Sequence, residues 1–135
     1  MKTAVIFWSG TGNTEAMAQA VAESAGAELF SVSDFSGNIE DYDAIAFGCP
    51  AMGAEVLEEN EFEPFFTGIE DKLNGKKIAL FGSYGWGDGE WMRNWEDRVK
   101  SDGAVLIGGK GVMANETPSD EELAKCAELG KMLVK

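Results

Sequence analysis

Thr3-Ala4-Val5-Ile6-Phe7-Trp8-Ser9-Gly10-Thr11-Gly12-Asn13-Thr14 decides the fold: an unbroken apolar run passes through a glycine-rich turn into a helical segment. A strand that is apolar on both faces is buried on both faces, which points to a parallel sheet covered by helices. The pattern recurs at 27–32, 43–48, 77–82 and 104–109, mostly without clean alternation. Helical stripes lie between these runs. One in 14–25 carries Met17, Ala20, Val21 and Ser24, and one in 90–101 carries Trp91, Met92, Trp95 and Val99. A shorter helix fits 63–72. The last helix opens on a capping box of Ser119 and Glu122, and its stripe reads Leu123, Cys126, Ala127, Gly130 and Leu133. The crossover 33–42 is too brief for a long helix and reads as a loop or a single turn.

A repeated βαβ order makes an α/β three-layer sandwich with right-handed crossovers. Its five-stranded parallel sheet takes the expected order 2-1-3-4-5. Ligands in such sheets bind at the carboxyl ends of the strands, where the strand order reverses. That singles out the loops 9–14, 49–62 and 83–90. With 135 residues there is room for one core, so 1–135 is read as a single domain.

Lys and Arg number 11 against 24 Asp and Glu, a net charge of −13. Such a surface repels nucleic-acid phosphates and anionic lipid, so neither is an expected partner. No apolar run has the length of a membrane span, and no signal peptide is read at the N-terminus, so a cytoplasmic place is expected. Histidine is absent, which removes the commonest general base and metal ligand. Cys49 and Cys126 are too far apart in sequence to form a metal-ligand pattern, and Cys49 reads as a small buried hydrophobe. No metal site and no catalytic residue is expected. The chemistry must come from something bound.

The turn Ser9-Gly10-Thr11-Gly12-Asn13-Thr14 offers two glycines, three hydroxyls and one side-chain amide at the start of a helix. Backbone amides and a helix N-terminus complete a phosphate cradle. It is not a nucleotide P-loop, which needs a lysine, nor a dinucleotide turn, because Glu15 stands where a third glycine belongs. None of the segments 9–14, 49–57 and 83–91 contains Lys or Arg. A phosphate held by neutral donors alone suits a monophosphate better than a nucleoside triphosphate. In Ser83-Tyr84-Gly85-Trp86-Gly87-Asp88-Gly89, a tryptophan between glycines is either a stacking platform for a flat heterocycle or a ring folded back on the core. In Cys49-Pro50-Ala51-Met52-Gly53-Ala54-Glu55, Met52 either covers a ring face or packs on the core.

Together, Trp8 to Glu15, Gly48 to Gly53 and Leu80 to Gly87 resemble the short-chain flavodoxins of anaerobic bacteria, and the likeness covers nearly the whole chain. The resemblance implies a flavodoxin-like fold and one non-covalently bound FMN that carries single electrons at low potential. It implies that Ser9, Thr11, Asn13 and Thr14, with the amides of Gly10 and Gly12, hold the phosphate. Met52 and Trp86 would sandwich the isoalloxazine, Glu55 would bond its N3 edge, and backbone at Gly85 to Gly87 would reach the pyrimidine oxygens. Pro50, Ala51, Gly53, Ala54, Ser83, Tyr84 and Asp88 complete the expected cofactor-binding set.

An FMN-dependent reductase would need a hydride-donor site and extra loops or dimer contacts, for which 135 residues leave little room. A signalling receiver domain would need an acceptor Asp after strand 3, where Cys49 stands, and acids after strand 1, where Trp8-Ser9 stand. The chain is therefore read as a monomeric electron carrier, not an enzyme. Glu55, Glu58, Glu59, Glu61, Asp88, Glu90, Glu116, Asp120 and Glu121 map to the flavin edge and Lys2, Lys72, Lys76, Lys77, Lys131 and Lys135 to the opposite edge. Redox partner proteins with basic docking surfaces are the natural complement.

Ala54 departs from the family, where Asp, Asn, Gly or Ser is usual. There the peptide before this residue flips on reduction and bonds the flavin N5–H. If the flipped turn is type II, it puts a positive φ on Ala54, at a cost of roughly 1–2 kcal/mol. Ala54→Gly is expected to raise the first one-electron potential by up to about 60 mV per 1.4 kcal/mol. Redox titration of both proteins measures this, and an unchanged or lowered potential in the variant refutes it.

Overall fold

A computed structural model describes every residue from Met1 to Lys135. In chain order it contains β1 (Thr3–Phe7), α1 (Asn13–Ala25), β2 (Glu28–Ser31), β3 (Ala44–Gly48), α2 (Phe62–Ile69), β4 (Lys77–Tyr84), α3 (Glu90–Ser101), β5 (Val105–Leu106), β6 (Val112–Asn115) and α4 (Asp120–Leu133). The parallel sheet runs β2-β1-β3-β4-β5, the expected order. The crossover 33–42 holds only a single 3₁₀ turn, Ile39–Asp41. No helix is long and apolar enough to cross a membrane.

The central strands β1, β3 and β4 are buried on both faces, and alternate residues serve two different cores. Ile6, Ile45, Phe47, Ile78 and Leu80 face the layer that holds α2 and α3, while Val5, Phe7, Ala44, Ala46 and Ala79 face α1 and α4. The α2/α3 layer is aromatic. Phe62 meets Trp95 edge-on at 5.6 Å, and Phe47 meets Phe66 likewise at 5.2 Å. Arg98 of α3 lies 4.9 Å above the Phe66 ring and pairs with Glu63 and Glu70 at 2.7 Å each, fastening α3 to α2.

In the α1/α4 layer small residues stand where the two helices meet, so they approach closely. A Cβ on Gly130 would fall 2.1 Å from Ser24 Oγ and 2.5 Å from the Val21 carbonyl oxygen. Ser24 donates to the carbonyl of Ala127 at 2.6 Å. This corrects the expected stripes. Ser24 and Ala127 belong to the seam between the helices, whereas Ala18, Ala22 and Leu129 take the buried places expected for Ala20, Ser24 and Leu123. In α3 the expected residues Trp91, Met92, Trp95 and Val99 are all buried.

Two boundaries also differ. The expected fifth strand 104–109 is cut short at Leu106, because Gly108 and Gly109 take left-handed φ values of 78° and 77°. The chain then returns to the sheet as β6, which pairs with β4 from Phe81 to Tyr84 and extends β4 past its expected end at Gly82. The expected helix 63–72 starts at Phe62 and tightens into a 3₁₀ turn at Glu70–Lys72.

Glu58, one of the acids mapped to the flavin edge, is only 4% exposed and so adds little to a surface field there. Its Oε1 accepts the amides of Glu61 and Phe62 and its Oε2 that of Asn60, each at 2.8 Å, so it satisfies the donors that open α2. Desolvation raises the carboxyl's pKa, but the three amides together outweigh it and leave the group lowered. A lowered folded-state value contributes stability that is present above the unfolded carboxylate range and lost as the pH falls through the folded value. Glu58→Gln turns an NH₂ toward one of those amide donors. The expected loss is about 1–3 kcal/mol at neutral pH, shrinking as acid also removes the wild-type advantage. Urea unfolding at pH 7 and in acid checks this, and an equal difference at both pH values contradicts it.

Candidate functional site

The carboxyl ends of β1, β3, β4 and β6 meet around one open cavity of about 510 Å³. Backbone bonds bring its walls together. Trp8 donates its amide to Gly48 at 3.0 Å, Ala51 to Ser83 at 3.0 Å, and Glu116 to Tyr84 at 2.7 Å. The pairing of β3 with β4 thus continues into the loops, and the β6–α4 connection is pinned to the end of β4. Such a cavity has the size of a cofactor site.

One wall is the turn before α1. Gly12 takes φ 94° and immediately precedes the first helical residue, Asn13. Ser9 Oγ accepts the Gly12 amide at 3.1 Å and closes the turn on itself. Thr14 is buried, and its hydroxyl lies 2.8 Å from Ser83 Oγ while accepting the Ser83 amide at 3.3 Å. Gly10, Thr11 and Asn13 line the cavity itself. Of the expected phosphate-turn residues, three therefore face the space, while Ser9, Gly12 and Thr14 are engaged in shaping the turn.

The second wall is the β3–α2 loop, from which Pro50, Ala51 and Met52 line the cavity. Met52 and Val56 exchange amide bonds at 2.8 and 3.0 Å, so Gly53, Ala54 and Glu55 form the tip of a small antiparallel turn. Gly53 and Glu55 have φ of 49° and 55°, and Ala54 keeps an ordinary negative φ. Glu55 Oε1 accepts the amides of Gly89 and Glu90 at 3.2 and 3.1 Å. Behind this loop the Cys49 sulfur accepts the Glu58 amide at 3.3 Å, and burial drives its thiol pKa well up. Burial likewise pushes the Cys126 thiol in α4 up to about 12.

The third wall is the β4–α3 loop. Ser83, Tyr84 and Gly85 line the cavity. Trp86 is 67% exposed, so its ring stands in solvent rather than on the core. Met52 is 38% exposed and likewise is not a core residue. Trp91 and Trp95 are buried, and the Trp91 indole donates to the Cys49 carbonyl at 3.1 Å. Gly53, Ala54, Glu55, Trp86, Gly87 and Asp88 lie outside the cavity's lining. Asp88 turns to Arg93, its Oδ1 3.0 Å from the guanidinium.

Three lining residues lie outside the expected set: Trp8, Glu116 and Thr117. The Trp8 ring lies against Gly10, where a Cβ would fall 3.0 Å from it, and its indole donates to Glu61 Oε1 at 3.2 Å. Its position next to Ser9 was a usable signal. Glu116 and Thr117 follow β6; the sequence places Glu116 at the flavin edge as one of its acids but not among the contact residues, and nothing in it points to Thr117. Neither Lys nor Arg lines the cavity, and its single charged side chain is the acid Glu116.

Comparison with known proteins agrees with this geometry. The family model described as flavodoxin matches residues 5–130. The chain is 48% identical to a flavodoxin of Megasphaera elsdenii over 97% of each chain, and 45% identical to one of Clostridium beijerinckii over 96% of each. The solution structure of two-electron reduced Megasphaera elsdenii flavodoxin matches with a TM-score of 0.85 and 41% identity, covering 98% of both chains. The chain belongs to the flavodoxin family.

Proposed function

We propose that the cavity at the ends of β1, β3, β4 and β6 seats FMN and that electrons pass across its exposed rim. By family the chain is an FMN-binding electron carrier and not an enzyme. FMN supplies one-electron redox chemistry when bound, and the chain's own residues bind it, orient it and limit its contact with water. The Thr11 hydroxyl, the Asn13 side chain and the first-turn amides of α1 hold the phosphate without a cationic side chain. Ser9, Gly12 and Thr14 hold that turn in shape from behind. Met52 and Trp86 cover the two faces of the ring, and backbone from Gly85 to Gly87 meets its polar edge. The single observation that carries this reading is the convergence on one cavity of a cation-free turn at a helix start and a loop that presents Met52.

This reading also makes the chain a single-domain, cytoplasmic monomer that binds neither nucleic acid nor membrane. Its partners are redox proteins with basic docking surfaces. What supports the basic complement is the exposure of Glu59, Glu61, Asp88, Glu90, Glu116, Asp120 and Glu121, carried on the loops and helix starts that follow β3, β4 and β6. Glu58 drops out of this set because it is buried.

Two outcomes are expected. Thr11→Ala should weaken FMN binding by about 10- to 100-fold, the worth of a hydrogen bond to a charged group, while leaving riboflavin binding unchanged. Fluorescence titration of flavin-free protein decides it, and an equal loss for both flavins would place the phosphate elsewhere. Neutralising Glu59, Glu90 and Glu116 together should flatten the salt dependence of association with a basic redox partner and raise the second one-electron potential by roughly 20 mV per charge. Stopped-flow mixing across ionic strengths and a redox titration measure the two effects, and unchanged slopes and potentials would make the acids a solubility coat.

A further inference from the structure

The Met52 turn and the Trp86 loop are joined by one side chain. Glu55 stands on the Met52 turn at φ 55°, a left-handed conformation that a residue with a side chain adopts only at a cost. Its Oε1 reaches across to accept the amides of Gly89 at 3.2 Å and Glu90 at 3.1 Å. These amides open α3, and the residue in the capping position, Gly89, has no side chain with which to satisfy them. Glu55 therefore supplies from another loop the acceptor that α3 lacks, and its negative charge meets the positive end of the helix. The fit is close on the far side too. A Cβ on Gly87 would fall 2.5 Å from the Glu55 carboxyl carbon, so a side chain there would push this carboxylate aside. A strained backbone, two charge-assisted bonds and a cleared neighbour all bear on the same contact.

We propose that Glu55 is a positioning residue that locks the Met52 turn to the Trp86 loop through the first turn of α3. The lock sets the spacing of the two walls before the flavin enters. The inference rests on the FMN reading of the cavity but concerns a bond made wholly within the protein. Oε1 is committed to the helix, while Oε2 accepts no hydrogen bond from the protein and remains available to a donor on the flavin edge. Preorganised walls spare the cofactor the cost of ordering two loops as it binds.

Amide hydrogen exchange on flavin-free protein tests the lock directly. Glu55→Ala is expected to speed exchange at Gly89 and Glu90 by about tenfold or more, the worth of a lost charge-assisted bond, with the amides of β3 and β4 unchanged. Glu55→Gln keeps an acceptor oxygen and is expected to restore most of the protection. FMN association with the flavin-free protein is expected to slow in Glu55→Ala and recover in Glu55→Gln. Unchanged exchange at Gly89 and Glu90 in Glu55→Ala, or an equal rise throughout β3 and β4, overturns the lock. Failure of the wild-type chain to take up FMN would overturn the cofactor reading instead, and the exchange result would still judge the lock by itself.

Discussion

The ends of β3 and β4 touch backbone to backbone, and the cavity depends on that contact. A Cβ on Gly82 would fall 2.1 Å from the Cys49 carbonyl oxygen, and one on Gly48 would fall 2.1 Å from the Phe81 ring. With hydrogen in both places the strands close, and the Trp91 indole then seals the junction by donating to Cys49. Everything beyond this point inherits its geometry. The Met52 turn leaves from Cys49 and the Trp86 loop from Tyr84, while the β6–α4 connection hangs from the Tyr84 carbonyl. Two loops and a connection are thereby aimed at one volume by a contact that contains no functional atom.

On the proposed reading, the first turn of the chain is an anion site built without cations. Half of its polar side chains are spent on the protein itself: Ser9 on Gly12 and Thr14 on Ser83. That leaves Thr11 and Asn13 lining the cavity beside a helix N-terminus, where hydrogen bonds to a charged group are at their strongest. A lysine would add attraction, yet it would also draw in other phosphates. On a chain of net charge −13, selectivity for one neutral-donor fit is gained at little loss, because most polyanions are already repelled.

The central architecture was legible because buried parallel strands leave a signal that needs no partner to interpret: Val5, Ile6 and Phe7 have to be covered on both faces. The turn after β1 was legible because its glycines and hydroxyls are local to one another, whereas the glycines around Trp86 left its exposure and a fold back onto the core both open until the structure put the ring in solvent. What escaped was set by distant neighbours. Ser24 reads as part of a helix stripe until α4 places Ala127 above it. Glu58 reads as one more surface acid until the start of α2 folds three amides onto it. The break at Gly108 and Gly109 separates two strands whose apolar residues look continuous in sequence, and with it went Thr117 and the lining role of Glu116, which reads from sequence only as an acid of the flavin edge.

Both cysteines lie inside the two cores, Cys49 beneath the Met52 loop and Cys126 in the seam of α4. Burial holds each as a protonated thiol, so neither offers the thiolate on which alkylation, disulfide exchange and oxidation depend. The polypeptide thus brings no sulfur redox couple of its own to compete with the flavin. Reagents that mark thiols would find this fold silent until it opens, and their slow uptake would time its breathing.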